Sequence, residues 1–208
     1  MGTPSDDRLA VVLDREEIFD LVRRERFARD QRRFDVMKAC FHSDARIRTS
    51  WFDGKADDYV NTTASRAGRY GNSKHWVFPG FLKIAGDRAT VESPALIFNR
   101  FLLEGTEVDT HVFCRFFSRV ERRDDVWRLM SFEVIFERDV MRTVNPQHQL
   151  PVDWNRLESY SPSYRVLTYV QESRGISVNP DLYGDDRRDQ LDEFHAGEDL
   201  WLAGGDRS

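Results

Sequence analysis

Cysteine is scarce in this chain. The two cysteines, Cys40 and Cys114, each lie within an apolar run. Neither belongs to a Cys-x-x-Cys pair or to a Cys/His cluster with zinc spacing, so no structural zinc site is predicted. Two thiols in apolar surroundings are typical of buried free cysteines in a reducing compartment. The sequence therefore predicts a protein without disulfides or a metal site, and it favours a cytoplasmic location.

Long hydrophobic runs are also missing. No run approaches the roughly 18 apolar residues that a membrane-spanning helix needs. Residues 1–10 lack the basic and apolar regions of a secretory signal peptide. The net charge of −5 argues against a nucleic-acid partner, because phosphate binding favours a basic surface. We expect a protein that neither crosses a membrane nor binds nucleic acid.

Aromatic residues, by contrast, are plentiful. The 208-residue chain has 15 phenylalanines and five tryptophans, enough for the core of one domain with an appendage. A helix is predicted to begin at Asp14, whose side chain can cap it, because Ile18 and Leu21 recur on one helical face. Residues 1–13 are expected to form a flexible tail.

The pattern then changes along the chain. A short helix is predicted over residues 34–41, a strand over 45–49 that ends in an Asp-Gly turn, and a polar helix over 56–70. Four longer strands joined by short turns are predicted over residues 75–84, 88–103, 108–120 and 126–140. Pro94 inside the second of these indicates a bulge or bend. The predicted fold class is α+β, with a curved antiparallel sheet folded over the N-terminal helices.

Composition shifts again after Asn145-Pro146. We therefore expect the main domain to span residues 14–146, and residues 147–208 to form an extended linker and a helical extension. Two helices are predicted there, over 161–175 and 187–205. Neither can bury its apolar face alone, so each should pack on the sheet or on a neighbouring subunit. A homo-oligomer, either a dimer or a trimer, is expected.

One histidine and one aspartate are candidate catalytic residues. His75 begins the apolar run His-Trp-Val-Phe-Pro-Gly, and Asp30 closes the first helix. A carboxylate bonded to one imidazole nitrogen fixes the tautomer and raises the basicity of the other nitrogen. That nitrogen can then remove a proton next to a carbonyl. Taken alone, each residue is more typical of a structural role.

The other histidines are weaker candidates. His42 lies in a loop, His148 in the linker and His195 on an appended helix, so structural roles are favoured. His111 lies on a predicted strand and is either structural or a second proton shuttle. The arginines near Asp30 are typical of a solvated helix face, although Arg26, Arg29 or Arg33 could meet an acidic group on a substrate.

The order of elements resembles the SnoaL-like group of the nuclear-transport-factor-2-like superfamily, which includes scytalone dehydratase and hexachlorocyclohexane dehydrochlorinase. The motifs that carry the resemblance are D30-x-x-x-F34, F41-x-x-D44-A45, the turns GDRA at 86–89 and ERRDDVW at 121–127, and His75 at the head of a hairpin. The resemblance implies a cone-shaped sheet in which Asp30 and His75 face each other.

Two positions depart from this family pattern. Glu25 stands where a tyrosine is common, and Phe132-Glu133 stand where dehydrochlorinases have an arginine. Stabilisation of a leaving halide is therefore in doubt. The polar residues that could replace that arginine are His111, Arg115, Asn99, Ser131 and Glu133.

The resemblance implies a cofactor-free lyase of the dehydratase or dehydrohalogenase kind, acting on a small hydrophobic cyclic molecule. His75 would be the general base and Asp30 would orient it. The residues expected to bind the substrate are Trp76, Phe78, Phe98, His111, Phe113, Arg115, Phe116 and Glu133. An isomerase or polyketide cyclase with the same dyad, or a non-catalytic binding or assembly module, are the alternatives.

Overall fold

The computed structural model describes residues 4–68 and 73–205. Helix α1 spans Pro4–Asp30, so the prediction that it begins at Asp14 is wrong. No glycine or proline interrupts residues 5–30, and proline is well tolerated in the first helical turn. The helix therefore extends beyond its buried part, where side chains such as Val12 (59% exposed) contribute no apolar periodicity. Residues 1–3 of the predicted tail lie outside the described residues.

The end of α1 positions a candidate catalytic residue. Arg32 adopts a left-handed conformation with φ of 59°. The backbone N–H of Arg33 then donates to the carbonyl of Ala28 at 2.8 Å, which closes the helix in the manner of a Schellman motif. Asp30 is consequently the last helical residue. Helices α2, Phe34–Ala39, and α3, Ala56–Arg66, follow close to their predicted positions.

The sheet has eight strands. They are β1 (Phe41–Arg48), β2 (Asp53–Lys55), β3 (Lys74–Val77), β4 (Phe81–Ala85), β5 (Arg88–Leu103), β6 (Thr106–Arg123), β7 (Val126–Thr143) and β8 (Tyr183–Gly184). Their order is β2-β1-β7-β6-β5-β3, with β4 also on β5 and β8 on β7. Strands β1 and β8 run parallel to β7, and the remaining pairs are antiparallel.

The predicted tight turns are present. Glu104 and Gly105 between β5 and β6 have φ of 48° and 83°, and Asp124 and Asp125 between β6 and β7 have 52° and 57°. Two consecutive positive φ values are characteristic of the tight hairpin turn whose twist matches that of the two strands it joins. The three longest strands therefore form a continuous meander.

The predicted strand 75–84 is two strands, which corrects the sequence expectation. Val77 pairs with Ala95 and Phe81 with Glu92, so three residues, 78–80, lie opposite two. A Cβ at Gly80 would lie 2.2 Å from Ser93 Oγ, and the close approach therefore requires glycine. The bulge predicted at Pro94 lies instead on the strand opposite it, because β5 runs unbroken from Arg88 to Leu103. The extra residue separates β3, which carries His75, from β4.

Three helices lie after β7 in the described part of the chain. Helix α4, Trp154–Glu158, lies in the segment predicted to be an extended linker, and Asp153 caps it by accepting from the N–H of Arg156 at 3.1 Å. Helices α5, Arg165–Ser173, and α6, Arg188–Leu202, correspond to the two predicted helices.

Helices α5 and α6 cover opposite faces of the sheet. On α6, Phe194 packs edge-on against Phe117 at 5.0 Å. Glu198 accepts two hydrogen bonds from the guanidinium of Arg119, at 2.6 and 3.1 Å. The other face of the sheet is covered by α1 and α5. Within the described ranges, no helix is both long and apolar enough to cross a bilayer.

The start of α5 is held by a residue of β7. Asp139 Oδ2 accepts from the backbone N–H of Leu167 at 2.7 Å, so a side chain of the sheet caps this helix. Burial raises the pKa of Asp139 to about 6, although the backbone donors of Leu167 and Val166 act against the rise.

An Asp139 pair of variants tests this cap. Asp139→Asn keeps an acceptor and removes a half-buried charge, so it should be at least as stable as wild type at pH 7. Asp139→Ala should be about 1 kcal/mol less stable than Asp139→Asn. Because the pKa of Asp139 is raised in the folded state, the folded protein becomes protonated at this residue at a higher pH than the unfolded chain does, near pH 6. The advantage of Asn over Asp should therefore shrink between pH 6 and about pH 4. Urea unfolding at several pH values measures these differences, and equal stability of the Asn and Ala variants would contradict the cap.

Candidate active site

Asp30 and His75 meet where α1 ends beside β3. The Nδ1 of His75 lies 2.7 Å from Asp30 Oδ1, and the backbone N–H of His75 donates to Oδ2 at 2.6 Å. Both side chains are buried, with exposed fractions of 4% and 7%. Both carboxylate oxygens are thus occupied by one residue, and Nδ1 must carry its proton to donate to Oδ1. Nε2 is then the ring nitrogen that holds a lone pair.

Two arginines of α1 lie beside this pair. Arg29 Nη1 is 3.2 Å from Asp30 Oδ1 and 3.3 Å from His75 Nδ1. Arg26 is 4% exposed, and its Nη2 lies 2.9 Å from an oxygen of Glu25, which is equally buried. The guanidinium of Arg26 covers the rings of Phe116 at 5.0 Å and Phe132 at 4.4 Å. The face of α1 that looks into the sheet is therefore charged at its C-terminal end.

A cavity of about 210 Å³ opens beside these groups. His75, Asp30, Arg26 and Arg29 line it. The remaining wall is mostly aromatic and aliphatic, from the β1–β2 loop, α3, the inner faces of β5 to β7, and α5. The apolar and aromatic members of that wall are Phe34, Trp51, Tyr59, Ile97, Phe101, Phe116, Phe132, Val134, Phe136, Leu167, Val170 and Ile176.

The C-terminal extension forms part of this wall. Leu167, Val170 and Gln171 of α5 line the cavity. Gln171 donates to Ser50 Oγ at 2.8 Å, and the side chain of Asn179 donates to the carbonyl of Thr49 at 2.6 Å. The extension is thus tied to the β1–β2 loop across the cavity, in line with the expectation that its helices pack over the sheet.

The protonation states follow from these surroundings. Burial and the positive charges of Arg29 and Arg26 lower the pKa of His75 to about 3, although Asp30 acts against the shift. Burial tends to raise the pKa of Asp30, but the hydrogen bonds from His75 and the charge of Arg29 outweigh it and lower the pKa. At neutral pH the pair is therefore a neutral imidazole held by a carboxylate, which is the state a general base requires.

The SnoaL-like domain family matches residues 10–133, more than half of the chain. The chain belongs to this family. A curated relative of the SnoaL-like chain is a PEP2-like protein of Fusarium vanettenii, 31% identical over 189 residues that cover 86% of this chain and 77% of the relative.

Solved structures that share the fold of this SnoaL-like chain include the following two. A protein assigned as a scytalone dehydratase, from Novosphingobium aromaticivorans, superposes with a TM-score of 0.54 at 17% identity, covering 67% of this chain and 96% of that one. A hexachlorocyclohexane dehydrochlorinase from Novosphingobium barchaimii gives 0.55 at 21% identity, covering 71% and 99%. The predicted family resemblance and the predicted α+β fold class, with N-terminal helices and a curved sheet, are confirmed.

The predicted wall of the cavity needs correction. Of the eight residues expected to bind substrate, Phe116 lines the cavity that contains the dyad. The other seven do not: Trp76, Phe78, Phe98, His111, Phe113, Arg115 and Glu133. Side chains alternate between the two faces of a strand. Residues 111, 113 and 115 of β6 have the opposite parity to Phe116, so they point to the outer face.

The outer face gives these side chains other partners. Trp76, Phe98 and His111 form an edge-to-face aromatic row with ring separations of 4.6 and 5.1 Å. Arg115 forms ion pairs with three carboxylates, those of Glu92, Glu137 and Asp185, at 2.6 to 3.0 Å. The ion pair with Asp185 joins the sheet to the C-terminal extension, and the other contacts lie within the sheet.

Further predicted positions lie away from the dyad as well. Glu133 and Ser131 border a separate hollow on the outer face, and Phe78 is 48% exposed. Asn99, named above as a polar alternative, does line the cavity. His42 binds the carbonyl of Glu121 at 3.1 Å, which is a structural role.

Sequence reasoning missed most of the cavity's polar lining. Arg32, Arg66, Arg174 and Tyr59 line the cavity but were not singled out. One signal was available: residues 26, 29 and 30 share one helical face, since neighbours on a helix surface are three or four residues apart. The described ranges contain no cluster of three His, Cys, Asp or Glu side chains that could hold a metal ion.

Proposed function

We propose that this SnoaL-like chain is a cofactor-independent lyase that eliminates water or hydrogen halide from a small cyclic substrate. The observation that carries the proposal is the 2.7 Å contact of His75 Nδ1 with Asp30 at the wall of an aromatic cavity. A non-catalytic scaffold has no need for an open cavity beside a buried His-Asp pair. The dehydratase and dehydrochlorinase folds found among similar structures agree with this reading.

The proposed reaction uses one base. His75 Nε2 takes the proton from a carbon next to a carbonyl or next to the carbon that bears the leaving group. The C–H electron pair forms the new double bond, and the leaving group departs from the neighbouring carbon with its own pair. When the leaving group is hydroxide, the imidazolium returns the proton to it and water is released. Asp30 holds the tautomer and stabilises the imidazolium.

Arg26 offers positive charge close to the strand position at which this chain lacks the arginine of the family pattern. Phe132-Glu133 stand near that position, and the guanidinium of Arg26 lies 4.4 Å from the ring of Phe132. A cation from α1 thus occupies a neighbouring space. In a cavity lined by aromatic side chains such a charge acts strongly on negative charge that develops in the transition state.

A substrate panel tests the proposal. Purified protein is incubated with cyclic β-hydroxy ketones, β-chloro ketones and enones, and ultraviolet absorbance follows the appearance or movement of a conjugated double bond. We expect elimination from at least one β-substituted ketone, with proton removal as the slow step. Movement of a double bond in an enone without elimination would favour the isomerase alternative. A folded protein that binds panel members and converts neither them nor their ring-carboxylated counterparts would contradict the lyase.

A further inference from the structure

The described lining of the cavity has an unusual charge. It contains five arginines, Arg26, Arg29, Arg32, Arg66 and Arg174, and a single carboxylate, Asp30. The whole chain carries a net charge of −5. The cavity lining is therefore positively charged, whereas the protein as a whole is negatively charged.

The arginines are graded by depth. Arg32 is exposed, whereas Arg66 and Arg174 are half-buried. The side chain of Arg29 is 14% exposed and that of Arg26 only 4%. A concave surface with one sign of charge raises the local concentration of ligands of the opposite sign. The gradient leads from solvent to the wall that carries His75.

Arg26 and Arg29 have unused donors at the inner end. Nε and Nη2 of Arg26 and Nε of Arg29 are buried without a hydrogen-bond acceptor in the described part of the chain. Glu25 forms an ion pair with Arg26 Nη2 and Tyr59 also interacts with the guanidinium, but neither residue accepts a hydrogen bond from Nε or Nη2. Buried guanidinium donors without acceptors are costly, so a site that retains them is suited to a ligand that supplies acceptors.

The position of Arg26 relates such a ligand to the base. The ring of Phe116 lies 5.0 Å from the Arg26 guanidinium and 5.9 Å from the His75 ring. Both groups therefore flank one aromatic side chain of the cavity. A ring-sized molecule stacked near Phe116 can present an anionic group to Arg26 and a C–H bond to His75.

We propose that the substrate is an organic anion, a carboxylate attached to a small hydrophobic ring, and that Arg26 and Arg29 bind its carboxylate. This inference rests on the proposed function for the identity of the reacting base. The planar guanidinium group matches a carboxylate by two parallel hydrogen bonds. The aromatic wall of the cavity accommodates the ring.

Anion binding also affects the base. The charges of Arg29 and Arg26 contribute to the low pKa of His75, after burial. A carboxylate bound against these arginines offsets their charge and so strengthens His75 as a base. Asp30 likewise raises the pKa of His75, and Glu25 already offsets part of the charge of Arg26. A neutral ligand provides no such offset, so the cavity favours the anion at both binding and proton removal.

A matched pair of probes tests the inference without turnover. Isothermal titration calorimetry measures the binding of naphthoate and of naphthalenemethanol, which share a ring system and differ in charge. We expect naphthoate to bind at least about tenfold more tightly. The preference should persist in His75→Ala, because the carboxylate contacts the arginines.

Variants locate the anion contact. The double variant Glu25→Gln with Arg26→Gln removes the guanidinium without changing net charge and without leaving Glu25 unpaired, and it should abolish most of the preference. Arg29→Gln should reduce it. Arg23→Gln, on the same helix with a side chain 57% exposed, is the control and should leave the preference unchanged. Circular dichroism checks that each variant is folded.

Two results would overturn the proposed carboxylate site at Arg26 and Arg29. One is equal affinity of wild type for naphthoate and naphthalenemethanol, and the other is a preference that survives both arginine variants. Neither result bears on elimination from neutral ketones, so the proposed lyase would stand. Conversely, an arginine-dependent preference for naphthoate in a protein inert on neutral and carboxylated ketones would support the anion site while contradicting the lyase.

Discussion

Turnover of any substrate should fall by about two to four orders of magnitude when His75 is replaced by alanine. His75 is the described cavity residue that combines a neutral imidazole with a carboxylate partner at 2.7 Å. Its removal eliminates the proton acceptor and leaves the aromatic wall and the arginines in place. Steady-state kinetics on the best panel substrate measures the loss. His195→Ala, on α6 at the outer face, is the matched control and should retain activity.

Asp30→Asn should cause a smaller but still large loss in the same assay. Asp30 accepts from both Nδ1 and the backbone N–H of His75. Asparagine has one carbonyl oxygen, so one of these two bonds is lost. When its amide group faces Nδ1, the imidazole proton moves to Nε2 and the lone pair needed for proton removal is gone. The double variant should be little worse than His75→Ala, because the two residues act as one unit. Additive losses, or equal turnover by wild type and His75→Ala, would contradict the dyad.

Truncation after Pro146 should destabilise the protein severely. It removes α5, which closes one side of the cavity, and α6, which covers Phe117 and Ile135 on the outer face. Burying each large apolar side chain contributes about 1.5–3 kcal/mol, so uncovering several removes an amount comparable to the stability of a domain. We expect aggregation or loss of cooperative unfolding, measured by thermal denaturation followed by circular dichroism. A truncated chain as stable as the whole would mean that the extension is only tethered.

The main strands could be predicted because their signals are local. Period-two alternation and the turn residues Gly105 and Asp124-Asp125 depend only on neighbouring residues. The start of α1 could not be placed from burial periodicity, because residues 8–13 of the helix are all exposed. The split at Gly80 depends on contact with Ser93 in a strand that lies further along the chain. Such a contact has no local signature.

The candidate site was predictable in its centre and not in its wall. Strand alternation places His111, Phe113 and Arg115 on one face of β6, but it does not indicate whether that face lines the cavity. That choice depends on the curvature of the whole sheet and on which helices cover each side. Arg174 joins the wall because the C-terminal extension folds back over the sheet, and the spacing of residues along the chain carries no information about that return.

The state of His75 in solution tests the central claim most directly, since a neutral base held by Asp30 must exist before any substrate binds. Nitrogen-15 NMR of histidine-labelled protein, with His75 assigned by comparison with His75→Gln, reports both protonation and tautomer. With a pKa lowered to about 3, the account predicts a neutral ring from pH 8 to pH 5, with the proton on Nδ1 and the lone pair on Nε2. An imidazolium at pH 6, or a proton on Nε2 at neutral pH, would contradict it.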